Sequence, residues 1–377
     1  MADIKHFLKM MVEKEASDLF FSVGAPAHIK VEGLLNPIGK NPLLPNVVRE
    51  IAFSMMSEGQ IDQFEEELEL NIGFTALGGE RFRLNVYKQK GHIAFVVRYI
   101  KGEIPNLKNL NLPSHLGEIA MSKHGLILVV GSTGSGKSTT LASMIDYRNS
   151  HSSGHILTIE DPIEYVHPYK LSIVDQREVG VDTHSFHNAL INAMREAPDV
   201  ILVGEIRDKE AMSHTISYAK SGHLCLSTLH ANNCVQALER VLGFFPPENH
   251  VRILMDLSMN LVAIVCQRLV VGQNMKRVAA LEIMQPTPYI RELIEKGDLD
   301  EIMPAMNETK GEKGIMTFDQ SLYRLFKQGK ISEEEALYNS DANSDLKLKL
   351  KLSQQEDETV SQSEDDFSDF QLDDRML

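Results

Sequence analysis

Gly131-Ser132-Thr133-Gly134-Ser135-Gly136-Lys137-Ser138-Thr139 follows the spacing G-x-x-x-x-G-K-[ST], and the rest of the chain is read outward from it. Glycines in such a loop let the backbone fold into a nest whose N–H groups point at phosphate oxygens, an approach that a Cβ would obstruct. Lys137 is placed to reach the β- and γ-phosphates, and the Ser138 hydroxyl to join the shell of a Mg2+ ion. Leu126-Ile127-Leu128-Val129-Val130 reads as a buried strand entering the loop, and Thr140 to Tyr147 as a helix leaving it. Strand, loop and helix in that order predict a nucleotide site, with all nine residues from Gly131 to Thr139 as its contacts.

A chain of 377 residues with 43% hydrophobic content has room for two packed cores. Its formal net charge of -15 argues against a nucleic-acid partner, because affinity for phosphate backbones comes from Lys and Arg displacing counterions. The three cysteines, Cys225, Cys234 and Cys266, form no C-x-x-C pair. Reduced thiols in the cytoplasm are expected, with neither a disulfide framework nor a zinc site. No apolar run approaches the roughly 18 residues of a membrane span, and Met1-Ala2-Asp3-Ile4-Lys5-His6 does not open a secretory signal. Direct insertion in a membrane is therefore not expected.

The first hundred residues alternate helical and strand patterns on a small scale. Ile4, Phe7, Leu8 and Met11 fall at helical spacing, Asp18 to Val23 and His28 to Val31 read as short strands, and a helical region runs from about Asn46 to Glu67. Arg81-Phe82-Arg83-Leu84-Asn85-Val86-Tyr87 has period two, which predicts a half-buried strand with a basic face. The next strand, Ile93 to Ile100, carries Arg98 among apolar residues, where a charge needs a carboxylate or a phosphate beside it. Lys101 to Pro113 has no long period and contains Pro105 and Pro113, which predicts a linker. The expected organisation is an N-terminal domain over 1–100, a linker over 101–113, a nucleotide-binding domain over 114–352 and an acidic tail over 353–377. The central region offers apolar strands at Leu126–Val130, Ile156–Ile159, Val200–Val203 and Leu224–Thr228 separated by helical stretches, which predicts a parallel sheet covered on both faces. Helices are expected to dominate after Pro247. The tail sets nine acids against one base, Arg375, and is expected to be disordered and solvated, either for solubility or for a partner.

Ligands of open α/β sheets collect at the carboxyl ends of strands, so the polar residues there are the candidates for chemistry. Glu160-Asp161-Pro162-Ile163-Glu164 follows one apolar run; these acids either orient an attacking water or cap a helix and pair with surface cations. Val200-Ile201-Leu202-Val203 is followed by Gly204-Glu205, a strand-end carboxylate directed at magnesium. Gly204 stands where an Asp is usual, so contact through a water is expected. The strand at 224–229 has His223 at its start and His230 at its end, more than ~20 Å apart by strand rise, so only His230 is placed for a phosphate.

These segments resemble the secretion and pilus ATPases, and within them the type IV pilus retraction ATPases, the PilT/PilU branch. The likeness rests on the phosphate loop, on Thr158-Ile159-Glu160-Asp161-Pro162-Ile163-Glu164-Tyr165, on Val200 to Glu205, and on Ser221-Gly222-His223 with Thr228-Leu229-His230. It covers residues 1 to about 350, with Asp18-Leu19-Phe20 and Arg81-Phe82-Arg83 in the N-terminal part. It implies an α/β fold: an N-terminal PAS-like domain, then a RecA-like P-loop ATPase domain with C-terminal helices. It implies that Glu164 is the catalytic base, Glu205 the acid near the metal, and His230 a γ-phosphate contact, with His223 in the same histidine motif. Arg83 and Arg98 are implied to reach the nucleotide pocket, in the same or a neighbouring subunit. The implied protein is an ATP- and Mg2+-dependent homo-hexamer, cytoplasmic and peripheral to the inner membrane, that works on the inner-membrane platform protein of the pilus machine and retracts the pilus in twitching motility. The tetracysteine zinc site of the extending ATPases and type II secretion relatives is absent. Gln176-Arg177-Glu178-Val179-Gly180, Gly154-His155-Ile156 and the acidic tail lie nearer the PilU type, while Tyr289-Ile290-Arg291-Glu292-Leu293-Ile294-Glu295 only partly echoes a C-terminal element of the PilT type. That implies work beside a PilT-type ATPase, either as a motor or as an accessory ring with weak or no hydrolysis. A nucleic-acid translocase is the third reading, and the acidic balance counts against it.

Overall fold

A computed structural model describes residues 4–352 apart from 32, 77, 101, 274 and 310–313; the acidic tail expected over 353–377 lies outside the described residues. The strands, in chain order, are β1 (Asp18–Phe21), β2 (Ala27–Val31), β3 (Leu34–Ile38), β4 (Glu69–Thr75), β5 (Arg81–Gln89), β6 (His92–Ile100), β7 (Gly125–Val130), β8 (Gly154–Glu160), β9 (Ser172–Glu178), β10 (Val200–Val203), β11 (Leu224–Leu229), β12 (Leu261–Val271) and β13 (Arg277–Met284). The chain divides into two compact units, Met1–Pro105 with Asn149–Gly204 and Asn106–Arg148 with Glu205–Leu377.

In the first unit a six-stranded sheet runs in the order β3-β2-β1-β6-β5-β4. Each neighbouring pair is antiparallel. The period-two reading of Arg81 to Tyr87 holds: Phe82, Leu84 and Val86 are fully buried, while Arg81, Arg83 and Asn85 alternate with them as half-buried residues. On the apolar side Phe21 and Phe95 stack with ring centroids 4.5 Å apart, and Leu8, Met11, Val48, Ile51 and Phe64 close the core. The single helical region expected over 46–67 is two helices, Pro45–Phe53 and Glu58–Glu67. The second starts at a capping box, in which the Gln60 backbone N–H donates to the Ser57 hydroxyl and the Ser57 N–H to the Gln60 side chain. The same unit carries β10-β8-β9 as parallel neighbours, with Val203 opposite Ile159 and Glu160 opposite Glu178.

In the second unit β7 lies parallel to both β11 and β12, and every residue of β7 and β11 is buried. β13 is antiparallel to β12, so the expected purely parallel sheet is corrected to a mixed one. Helices dominate after Pro247 among the described residues, as expected, with β12 and β13 as two long strands between them. Helix His250–Asn260 passes directly into β12, so no turn signal marks the change, and an apolar run of this length suits either element.

Cys225, Cys234 and Cys266 are free and buried. Cys234 and Cys266 meet Sγ to Sγ at 3.4 Å, and the carboxyl of Glu282, which faces Cys266 across the strands, accepts the Cys234 backbone N–H at 2.7 Å. Burial pushes the Cys225 thiol up to about 12 and the Cys266 thiol up to about 11.

Candidate functional site

The phosphate loop joins β7 to the helix Lys137–His151, so the N–H groups of the first helical turn open onto the loop. The Lys137 ammonium donates to the carbonyls of Gly131 and Ser132, each at 2.9 Å. Burial pulls Lys137 below the usual lysine range, against the upward pull of Glu205. The glycines are dictated by crowding. Gly131 has φ +152°, and a Cβ there would sit 2.4 Å from the Gln267 carbonyl oxygen; Gly136 has φ +90°, and its Cβ would sit 2.6 Å from Gln267 Nε2. Gly134, at φ +78°, faces open space, which leaves its backbone accessible to an anion. Ser138 is exposed at the start of the helix.

Gln267 is the residue that sequence reasoning missed here. Its Nε2 donates to the Ser135 carbonyl at 2.7 Å and its Oε1 accepts from Thr140 Oγ1 at 2.6 Å, so one buried carboxamide staples both flanks of Gly136. The signal that could have found it is a lone amide inside the apolar run Leu261–Val271.

Glu205 is held between His230 and Arg207. His230 Nε2 stands 3.0 Å from Glu205 Oε1, and Arg207 Nη2 and Nε lie 2.8 Å and 2.9 Å from Oε2. His230 follows the last residue of β11 and is exposed. His223 is not brought to this cluster: it precedes β11 at the opposite end, with Nδ1 3.1 Å from Ser221 Oγ and 3.3 Å from the Tyr218 carbonyl oxygen. The strand length read from the sequence separates the two histidines as anticipated.

In the first unit the acidic loop leaves β8 through a cis Asp161-Pro162 bond. Glu160 Oε1 accepts from Thr158 Oγ1 at 2.7 Å and from Gln176 Nε2 at 3.2 Å. Desolvation nonetheless pushes its carboxyl up to about 7, the hydrogen bonds from Thr158, Gln176 and the Glu164 backbone opposing the rise. Glu164 keeps an exposed surface, yet enough protein crowds its carboxylate for desolvation to raise it; Arg98 and then Arg83 pull it down, while Asp18 and Glu178 push it up. Arg83 and Arg98 sit opposite one another on β5 and β6. Arg98 finds the carboxylate its position demands: its Nε donates to Asp18 Oδ1 at 2.8 Å, and that aspartate is buried. Asp18, across on β1, carries no mark in the sequence as the partner of Arg98, because nothing in the local pattern distinguishes a buried acid from a strand end.

Within each unit, then, the structure brings together the phosphate loop with Glu205 and His230, and Glu164 with Arg83 and Arg98. The wider comparisons agree in kind. The chain is 48% identical over 356 residues to the type IV pilus ATPase PilU of Pseudomonas aeruginosa, covering 94% of this chain and 93% of that one. It is 40% identical over 334 residues to the type IV pilus retractation ATPase PilT of the same organism, covering 89% and 97%. The crystal structure of the pilus retraction motor PilT with bound ADP matches with a TM-score of 0.85 at 40% identity, over 92% of this chain and 99% of that one. The family described as Type II/IV secretion system protein matches residues 95–332. With most of the chain matched in this way and the loop that defines such proteins folded as its spacing requires, the chain belongs to the Type II/IV secretion system protein family.

Proposed function

We propose that this chain is an ATP-hydrolysing motor of a type IV pilus machine that assembles as a homo-hexamer and drives or assists pilus retraction, and with it twitching motility. The observation that carries this reading is the phosphate loop, with a buried lysine and with Gly131 and Gly136 admitting no side chain, beside a strand-end glutamate held by His230 and Arg207, in a chain so similar to pilus ATPases. Gly131 to Thr139 hold the triphosphate, with Lys137 on its outer phosphates. One hydroxyl, Ser138, and one carboxylate, Glu205, suit a hard cation that keeps most of its waters. Because His230 and Arg207 already engage both oxygens of Glu205, Glu205 would hold the ion through water. Mg2+ would neutralise charge between the phosphates. His230 reads the γ-phosphate, Glu164 accepts the proton of the attacking water, and Arg83 and Arg98 supply positive charge from the N-terminal domain of the same or a neighbouring subunit. His223 supports β11 from its far end.

The domain division, 1–100, 101–113, 114–352 and 353–377, belongs to the same reading. So does a cytoplasmic location peripheral to the inner membrane, reached through the platform protein, with a PilT-type ATPase as partner and no nucleic acid. Among the described residues no helix is long and apolar enough to cross a membrane. The test is ATP turnover by the purified full chain, read beside particle mass with and without Mg-ATP. Turnover by a ring of six supports the proposal; a chain that stays monomeric at high concentration and leaves ATP intact overturns it.

A further inference from the structure

We propose that Glu178 is a positioning residue for Glu164: its carboxylate pins the backbone immediately before Glu164 and is itself fixed by Arg81 from the six-stranded sheet. This rests on the ATPase reading above. Glu178 ends β9 directly opposite Glu160, and its side chain is 4% exposed. One oxygen, Oε2, accepts both from Arg81 Nη2 at 3.1 Å and from the backbone N–H of Ile163 at 3.3 Å. A carboxylate so buried persists only with such partners.

The neighbourhood is built around the pair. A Cβ at Gly73, on β4, would lie 3.2 Å from Glu178 Oε1 and 3.4 Å from Arg81 Nη2, so the missing side chain leaves the room they occupy. Arg81 Nε is buried with no hydrogen-bond partner, which leaves its charge directed at Glu178 through Nη2. From the other strand edge, the Glu178 backbone N–H donates to Asp182 Oδ2 at 2.9 Å. The hydrogen bond to Ile163 N fixes the peptide from which Glu164 follows, and so the direction its side chain takes. A displacement of about 1 Å in such a group costs on the order of 100-fold in rate.

Glu178 also acts on Glu164 by charge. Around Glu164 stand Arg98 and Arg83, which favour its ionised form, and Asp18 and Glu178, which disfavour it; Glu160, which Glu164 influences by charge, and Asp161 are the other acids of its own loop. Removing the Glu178 charge makes Glu164 easier to ionise.

In the full chain, Glu178→Gln is expected to lower kcat for ATP roughly 10- to 100-fold with KM within about twofold of wild type, as an acid displaced rather than a nucleotide released. The acid limb of its kcat–pH profile is expected to move to lower pH, which a merely structural residue would not cause. Arg81→Gln reproduces the kcat loss and Arg81→Lys restores most of it. Wild-type kcat with an unmoved acid limb in Glu178→Gln overturns the proposal, as does a lower melting temperature alone. If Glu178→Gln does not fold, the Arg81 pair decides, and unchanged turnover in Arg81→Gln rejects the assignment. A wild-type chain without turnover takes down the ATPase reading as well, whereas wild-type turnover left unchanged in the variants strikes at Glu178 alone.

Discussion

His230 and Glu205 face one another with Nε2 3.0 Å from Oε1, although β11 separates their chain segments. Arg207, two residues on, takes the other oxygen, so the carboxylate is aimed before any ligand arrives. Glu205→Gln keeps the shape and removes the charge. It is expected to lower kcat by about 100-fold or more, the scale seen when one electrostatic partner of a transition state is lost. In the pair with Arg207 the arginine is exposed and Glu205 half-buried, and such solvent-reached ion pairs contribute little, so the melting point should stay near wild type. Phosphate release and calorimetric unfolding check the two halves; an unchanged kcat removes Glu205 from the site.

Glu164→Gln is expected to leave ATP binding intact and abolish turnover, because the amide fills the same space without accepting a proton. Nucleotide titration followed by single-turnover hydrolysis separates the two effects. Wild-type hydrolysis in this variant would assign the base to another residue.

Glu160 makes stability depend on pH. Its carboxyl is raised from an ordinary value to about 7 in the folded chain, so between roughly pH 4.5 and 7 the folded state holds a proton that the unfolded state has released. Unfolding free energy therefore falls as pH rises through that window, by a few kcal/mol at most, and levels off above it. Glu160→Gln, a fixed copy of the protonated form, should lose less stability than wild type between about pH 5 and pH 8. Melting temperatures of both proteins at the two pH values check this; parallel shifts would show that Glu160 ionises normally in the fold.

Gln267→Ala leaves the Ser135 carbonyl and the Thr140 hydroxyl without the partner each has now. Two buried groups left unsatisfied should cost about 2–4 kcal/mol and raise KM for ATP, since the loop loses its staple. Thermal unfolding and initial-rate kinetics measure both. A variant with wild-type KM would show that the loop holds its shape alone.

What was legible in the sequence was local. The phosphate loop, the alternation of Arg81 to Tyr87 and the acids at strand ends are each written within a few residues, and all appear where their spacing put them. What was illegible depends on contacts between distant positions. Gln267 meets Ser135 across 132 residues and Glu178 meets Arg81 across 97, and no window of ordinary length sees either. β9 was missed because Ser172 to Glu178 mixes exposed Ile173 with half-buried Gln176 and Arg177, which blurs the alternation of an edge strand. β3 carries exposed Leu34 and Leu35 and a proline, as edge strands tolerate and central ones do not.

The three native thiols lie in the packed interior, where deprotonation is disfavoured and reagents have no path. Alkylating probes will thus ignore the folded chain and mark only molecules that have locally opened, so the rate of thiol capture becomes a clock for breathing of the nucleotide domain. A single cysteine introduced at the surface can then carry a dye or spin label with the wild-type background left in place.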